Sequence, residues 1–399
     1  AYRTARDSAK LDEIESLAST AAAAEKFAKG LGAYVEGSYE PGLELGRSGL
    51  SSGSIALHDN GVPLRLSGLG SRRLATLAIQ KSAVSEGAIV LIDEVEHGLE
   101  PHRIMGAISQ LKGDQTKAAT DKKPVGHVLM TTHSDVALSE AGEKSLHVIN
   151  TSRPNHITHI KTPAEPKSLR ALLRFASRAL FARRILVCEG NTEVGLLLGL
   201  REYWPTQHNN APIEQHGSAI ADGNGSEACT MALALAHLGY RTALYRDSDD
   251  PLSTKQIEML AAAEIPIFEY GGGLYTELAI FSAASDALVQ ELLQHAREER
   301  GADYIDNNLA AKLEELDVKD VRRNFESWNK HSTKNGHELR EAIAEVAAAK
   351  GNEKKDKRAW FKDQRIARSL APFVWKIVSK TPSSPLAVAL TAAEEWLYA

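Results

Sequence analysis

Three short apolar runs in the second half of the chain end in acids. The segment "ILVCEGNTE" (185–193) delivers Glu189 to the end of a strand-like run and Glu193 one helical turn later. "ADGNGS" (221–226) puts Asp222 beside two glycines at a tight turn, and "RDSDD" (246–250) supplies Asp247 and Asp249. Open α/β sheets build their sites at the carboxyl ends of their strands, so these acids are expected to converge on one sheet edge. Crowded carboxylates repel one another unless cations neutralise them, and strand formation alone does not call for them. A divalent-metal site accounts for the set, against the plainer alternative of solvated loop acids that happen to follow strands.

An earlier segment, "AIVLIDEVEHGLEPHR" (88–103), is a further apolar run ending in Asp93 and Glu94. In a nucleotide hydrolase such a strand end places an aspartate on Mg²⁺, and the next glutamate orients the attacking water. Upstream, "LSGLGSRR" (66–73) holds Ser67 in a glycine-rich stretch that can open a helix N-terminus toward phosphate oxygens. Downstream, "VLMTTHS" (128–134) is another strand-like run that ends near His133. A G-x-x-x-x-G-K-[ST] phosphate loop is missing, because "GRSGLSSG" (46–53) lacks the lysine.

Positioning these residues falls to elements that local pattern also marks. Leu11, Ile14, Leu17, Ala21, Ala24 and Phe27 recur at helical spacing before Gly30, so residues 1–30 are expected to form a helical arm, for dimerisation or for core packing. "SIALHDNGVPLRL" (54–66) alternates around Asn60-Gly61 and predicts a hairpin. From there to Ile160, apolar runs alternate with helical stretches, the pattern of a parallel sheet covered on both faces. "KTPAEPKS" (161–168) carries two prolines and reads as a linker, which sets a boundary near residue 165. The runs "RRILVCEG", "RTALYRDSDD" and "IPIFEYGGG" predict a second α/β unit to about residue 284, and the chain from Ser285 onward reads as helical. The fold class is therefore α/β, with four stretches: 1–30, 31–164, 165–284 and 285–399.

Composition narrows the function classes. With 43% hydrophobic and 25% charged residues, 399 residues suffice for two or three domains with real cores. Lysine and arginine total 47 against 52 acids, a formal charge of −5, so nucleic-acid contact has to be local. Arg170, Arg174 and Arg178 recur at every fourth position, and Lys354 and Lys355 stand in "KKDKR" (354–358); both groups are candidates for tracking phosphates, with a solvated helix face as the plainer reading. Cys188 and Cys229 are too few for a four-cysteine zinc ribbon or a disulfide framework. No apolar run approaches the roughly 18 residues of a membrane span, and no signal-peptide pattern opens the chain, so a soluble cytoplasmic protein is expected.

The ordered trio "LSGLGSRR", "LIDEVEHGLEPHR" and "VLMTTHS" resembles the signature motif, Walker B with its following loop, and switch histidine of ABC-type ATPases of the SMC-like and OLD branches. The E-G-x-T-E strand end, the Asp-Gly turn and the D-x-D strand end resemble a Toprim domain. Together, over roughly residues 50–280, they resemble the OLD family, an ABC-type ATPase half joined to a Toprim nuclease domain whose Rossmann-like parallel sheet is followed by a helical C-terminal region.

That resemblance implies that Ser67, Gly68 and Gly70 face a nucleotide held by a partner subunit, that Asp93 helps hold Mg²⁺ and that Glu94 and His133 serve hydrolysis. It implies Glu189, Glu193, Asp222, Asp247 and Asp249 as metal ligands or their near neighbours, with Glu277 of "LYTELAIF" as a further acid, and Lys362 of "AWFKDQR" as the lysine brought to the same site. Oxygen ligands favour two Mg²⁺ or Mn²⁺ ions there. The implied activity is metal-dependent cleavage of DNA by a homodimer or higher oligomer, with ties to anti-phage defence and sometimes a helicase-like partner. The missing phosphate loop departs from the pattern. Either that portion lies upstream of this sequence or the ATPase motifs are relics, and in either case this chain is not expected to hydrolyse ATP alone. An SMC-like clamp without nuclease activity, a topoisomerase and a primase are the competing readings. A topoisomerase would need a separate tyrosine-bearing domain, and a primase usually brings a zinc module.

Overall fold

A computed structural model describes residues 10–46, 49–84, 89–121, 126–152, 155–314, 325, 328, 336–350 and 359–399. Lys354 and Lys355 lie outside the described residues. The chain divides into two compact units, Ala1–Ser145 and Leu146–Ala399.

Unit one runs α1 (Glu15–Gly30), β1 (Tyr39–Gly46), β2 (Gly49–Asp59), β3 (Val62–Pro63), α2 (Leu69–Val84), β4 (Ile89–Ile92), α3 (Pro101–Thr120), β5 (His127–Met130) and α4 (Asp135–Ala141). The first three strands form an antiparallel sheet, with Asp59 paired to Val62 across the expected turn. Asn60 and Gly61 take φ of 49° and 72°, the left-handed pair that a two-residue hairpin turn requires. Strands β4 and β5 pair in parallel, Ile92 opposite Met130.

One expectation is corrected in this unit and an alternative is decided. Val90 and Ile92 are buried with Leu74 and Leu77 of α2 and Ile104 and Ile108 of α3, but the alternate side chains face outward: Ile89 is 67% exposed, Leu91 69% and Leu129 55%. Among the described residues the helices cover one face of the β4–β5 pair, not both. Of the two roles expected for the N-terminal helix, core packing is the one seen, because α1 buries Ala21, Ala24 and Ala28 in the same core as α2. Its small residues make it a packing helix of the unit.

Unit two opens with an antiparallel hairpin, β6 (Val148–Thr151) and β7 (Thr158–Lys161). Asn150 and Lys161 lie against Gly239, where a Cβ would come within 3.3 Å of Asn150 Nδ2. The hairpin thus packs within the second unit, and the division falls between Ser145 and Leu146 instead of near residue 165. Helix α5 (Arg170–Phe175) ends at Ala176, whose φ of −145° breaks the helical path. Arg178 falls in the next short 3₁₀ turn, so the three arginines do not share one continuous helix face as their spacing suggests.

Then come β8 (Arg184–Cys188), α6 (Asn191–Leu200), β9 (Ser218–Asp222), α7 (Ala228–His237), β10 (Arg241–Arg246), α8 (Thr254–Ala262) and β11 (Ile267–Glu269). These strands form a parallel sheet in the order β11-β10-β8-β9. Ile185–Cys188 and Thr242–Arg246 are buried throughout, as strands covered on both faces must be. The order reverses beside β8, which leaves a crevice at the carboxyl ends of β8 and β10.

The described remainder is helical: α9 (Thr276–Ala283), α10 (Asp286–Arg300), α11 (Ala302–Glu314), α12 (Gly336–Ala347), α13 (Gln364–Ser369), α14 (Ala371–Lys380) and α15 (Pro385–Tyr398). It shares one apolar core with the sheet, in which Leu186 and Leu197 join Phe281, Val289, Ile343, Val374 and Leu390.

One contact fixes the helical region to the sheet edge. A Cβ on Gly195 would sit 2.4 Å from the Gln364 carbonyl oxygen, and one on Gly199 would sit 2.4 Å from that of Arg368. Only glycine lets α6 approach α13 this closely. Asp363 caps α13 by accepting hydrogen bonds from the Arg365 and Ile366 N–H groups, so Lys362 is held at the helix entry. Gly199→Val is expected to lower the unfolding free energy by about 2–3 kcal/mol through overpacking, read as a fall in the denaturation midpoint. An unchanged midpoint would show that the two helices separate without cost.

Candidate functional site

The carboxyl edge of the second sheet opens into a cavity of about 560 Å³. Glu189, Glu193, Asp222, Asp247, Asp249, Glu277 and Lys362 all line it, so the seven residues singled out in this half of the chain meet at one place. Arg170, Arg174 and Arg178 do not line it.

Each strand end is shaped to deliver its acid. Glu189 follows β8, and its N–H donates to the Tyr245 carbonyl at 2.9 Å, which ties it to the end of β10. The Asp222 turn is locked by Gly223, where a Cβ would come 2.5 Å from the Cys188 carbonyl oxygen. Asp222 Oδ1 accepts from the Asn224 N–H at 2.9 Å, so this carboxylate also holds its own turn. Glu193 is 6% exposed and accepts from the Gly190 N–H at 3.1 Å and the Thr276 hydroxyl at 2.7 Å.

Burial and mutual repulsion mark these acids electrostatically. Burial, then the charges of Glu193 and Glu189 and a hydrogen bond with Asp249, push the Asp247 carboxyl up to about 8. Burial pushes Glu189 up to about 7; the Arg246 guanidinium opposes this, and Glu193, Asp249 and Asp250 add to it. Glu193 is raised by burial against the Thr276 hydrogen bond. Asp247 Oδ1 and Glu189 Oε2 are buried without a hydrogen-bond partner among the described residues. These oxygens lose their hydration without a hydrogen bond in exchange, Glu189 Oε2 having only the Arg246 guanidinium at 3.5 Å, an arrangement suited to a cation. Among the described residues, no group of three or more His, Cys, Asp or Glu side chains is arranged so that it could hold a metal ion. The acids line the cavity without closing on one point.

Four lining or supporting residues escaped the sequence reading. Arg246, buried at the end of β10, stands 3.5 Å from Glu189 Oε2 and donates to Glu269 Oε2 at 3.1 Å. Its position directly before Asp247 was the available signal. Asp250 extends the D-x-D segment. Tyr275 and Lys350 come from the helical region with no motif to mark them, and both line the cavity.

Unit one gathers its own set. Ser67 ends a 3₁₀ turn and Gly68 directly precedes α2. Gly70 packs against the loop after β4, where a Cβ would meet the Gly98 carbonyl oxygen at 2.9 Å. Arg73 donates to the carbonyls of Asp93 and Glu94. The Thr131 hydroxyl donates to Asp93 Oδ1 at 2.6 Å and accepts from the Glu94 N–H at 2.9 Å, and Glu94 takes a left-handed φ of 46°. Glu96 accepts from the Thr132 hydroxyl and the His133 N–H, each at 2.6 Å. Burial acts to raise Glu96, but these two hydrogen bonds hold its carboxyl below the usual range. The three segments therefore adjoin, with Asp93, Glu94 and His133 linked through Thr131, Thr132 and Glu96.

Residues 30–139 match the family described as "AAA domain, putative AbiEii toxin, Type IV TA system". A solved structure described as "Structural biochemistry of ATP-driven dimerization and DNA stimulated activation of SMC ATPases" aligns at 14% identity over 40% of this chain and 93% of that one, with a TM-score of 0.26. No curated protein matches the chain. The stretch 30–139 is thus an ATPase-type domain, within a mixed α/β chain in which no helix among the described residues is long and apolar enough to cross a membrane.

The raised carboxyls make a signed prediction. A carboxyl that binds its proton more tightly when folded contributes stability at low pH that is lost as pH rises toward the folded value. For Asp247 the window runs from its ordinary 3.8 to about 8, and for Glu189 from 4.5 to about 7. In EDTA, Asp247→Asn should therefore gain thermal stability over the parent chain, increasingly from about pH 5 to about pH 8. A melting-temperature difference that stays flat across that range contradicts the electrostatic description.

Proposed function

We propose that the second unit is a Toprim-type nuclease that hydrolyses DNA phosphodiester bonds with divalent metal ions, and that the ATPase-type domain regulates it, as in the OLD family. The observation that carries this reading is the acid-lined cavity at the β8–β10 crevice, with two buried carboxylate oxygens that no hydrogen bond satisfies among the described residues and Lys362 on its wall. Two scattered cysteines and an all-oxygen donor set suit Mg²⁺ or Mn²⁺ over softer metals.

Glu189, Asp247 and Asp249 would hold the ions, with Glu193, Asp222 and Glu277 as further or neighbouring ligands. Divalent cations bound there supply Lewis acidity to the phosphate and stabilise the leaving oxygen. Arg246 favours the charged form of Glu189 against its burial, and Thr276 fixes Glu193. The Lys362 ammonium offsets charge that develops on the phosphate. In the first unit, Asp93, Glu94 and His133 would act on a Mg²⁺-bound ATP only where a phosphate loop, which this sequence lacks, is supplied, and Ser67, Gly68 and Gly70 would face the nucleotide of a second copy. DNA is the substrate and a homodimer the working form in this reading, with a helicase-like partner and a role against phage as its outer reach.

Supercoiled plasmid is expected to be nicked or cut by the chain in Mg²⁺ or Mn²⁺ and left intact in EDTA. Asp247→Ala should abolish this cleavage, and undiminished cutting by that variant would refute the reading. Lys362→Ala should lower the single-turnover cleavage rate by about 100-fold or more while its DNA affinity stays close to that of the parent, because the lost group acts mainly on transition-state charge. A matched loss of affinity and rate would instead make Lys362 a plain phosphate contact.

A further inference from the structure

Lys350 stands where α12 ends. Ala349 takes a left-handed φ of 50°, and the turn is closed by its N–H donating to the Val346 carbonyl and by the Lys350 N–H donating to that of Glu345, both at 3.1 Å. This turn carries the Lys350 ammonium over the ring of Tyr275, 3.8 Å from its centroid, and to 3.9 Å from Asp249 Oδ2. An ammonium between an aromatic face and a carboxylate is held in place by both. Tyr275 is 5% exposed, and its hydroxyl is buried without a hydrogen-bond partner among the described residues. Both residues line the acid cavity, with the ammonium set over the Tyr275 ring and the buried hydroxyl an unused donor beneath the wall.

Lys350 also lines a second groove, of about 220 Å³, between α11 and α12. Tyr304, Asn308, Lys312 and Glu345 contribute to that groove. The Glu345 carboxylate is met by Lys312 at 3.1 Å, so its charge is offset within the groove. An aromatic ring, an amide and lysines along one track are the chemistry that binds a nucleic-acid strand without sequence preference: stacking for the base and ammonium groups for the phosphates.

We propose that Lys350 and the Tyr275 hydroxyl form a second phosphate seat at the edge of the acid cavity, and that the adjoining groove takes the next nucleotide of the bound strand. The inference rests on the nuclease reading and adds to it the path of the substrate. Lys350 binds the phosphate that neighbours the cleaved one, Tyr275 donates to the same phosphate, and Lys312 and Tyr304 meet the nucleotide beyond. The seat also lets a polyanion approach a wall of carboxylates, because the ammonium stands in front of Asp249.

The test is fluorescence anisotropy of a labelled DNA oligonucleotide with the full 399-residue chain in Ca²⁺ at several salt concentrations. Lys350→Ala, Lys350→Arg and Tyr275→Phe are compared with the parent, whose plasmid cleavage in Mn²⁺ is measured in parallel. Lys350→Ala should weaken binding about tenfold and lower the slope of log affinity against log salt by about 0.7–1. Lys350→Arg should keep the parent slope, and Tyr275→Phe should weaken binding about three- to tenfold. Melting temperatures close to the parent's exclude misfolding, and Tyr275→Phe, which keeps the ring, decides the matter if Lys350→Ala does not fold. If the parent cleaves plasmid but neither affinity nor slope changes in the variants, the seat is wrong and the nuclease reading stands. If the parent binds without cleaving and Lys350→Ala still weakens binding, the seat stands and the nuclease reading falls. A parent chain that binds no DNA overturns both.

Discussion

Carboxylates drawn together below a protein surface lose hydration and repel one another, and everything around the second sheet's edge is arranged about that cost. Glu189, Glu193 and Asp249 each raise the proton affinity of a neighbouring carboxyl, and with burial they push Asp247 up to about 8 and Glu189 up to about 7. A fold assembled for stability alone would not gather them, since replacing any one by a neutral side chain relieves the repulsion. Arg246, the buried guanidinium that opposes this repulsion, sits behind Glu189 and is shared with Glu269. The cavity is therefore electrostatically incomplete, and cations are the economical completion.

The acids come from the strand ends, but the positive side chains on the cavity wall come from the helical region. Lys362 is held at the entry to α13 by the glycine-lined contact with α6, the helix that carries Glu193. Lys350 is held by the left-handed turn at Ala349 and by the Tyr275 ring. The described residues of the 285–399 stretch thus add to the cavity wall while sharing the core of the sheet.

The legible part of this architecture was the part that local pattern encodes. Apolar runs ending in Glu189, Asp222 and Asp247 marked both the parallel strands and the edge where their acids meet, and Asn60-Gly61 marked the hairpin. What local pattern does not encode is which faces find partners. The spacing of Arg170, Arg174 and Arg178 read as one helix because periodicity cannot register the break at Ala176. The run 89–92 read as a strand covered on both sides, although only Val90 and Ile92 find helices. The N-terminal helix read as either an arm or a packing element, because a stripe of alanines shows an apolar face without its partner, which is α2. Lys350 and Tyr275 were invisible for the same reason: far apart in the chain, they meet only through tertiary packing.

The central claim is that the β8–β10 cavity is a divalent-cation site, and binding tests it more directly than turnover does. Isothermal titration of the metal-free chain with Mn²⁺ near neutral pH should show saturable binding that releases protons, because carboxyls raised to about 7 and about 8 must ionise as the cation enters. The same titration of Asp247→Asn should lose most of that heat and release fewer protons. Mn²⁺ binding and proton release left unchanged in Asp247→Asn, or no saturable binding by the parent chain, would contradict the account.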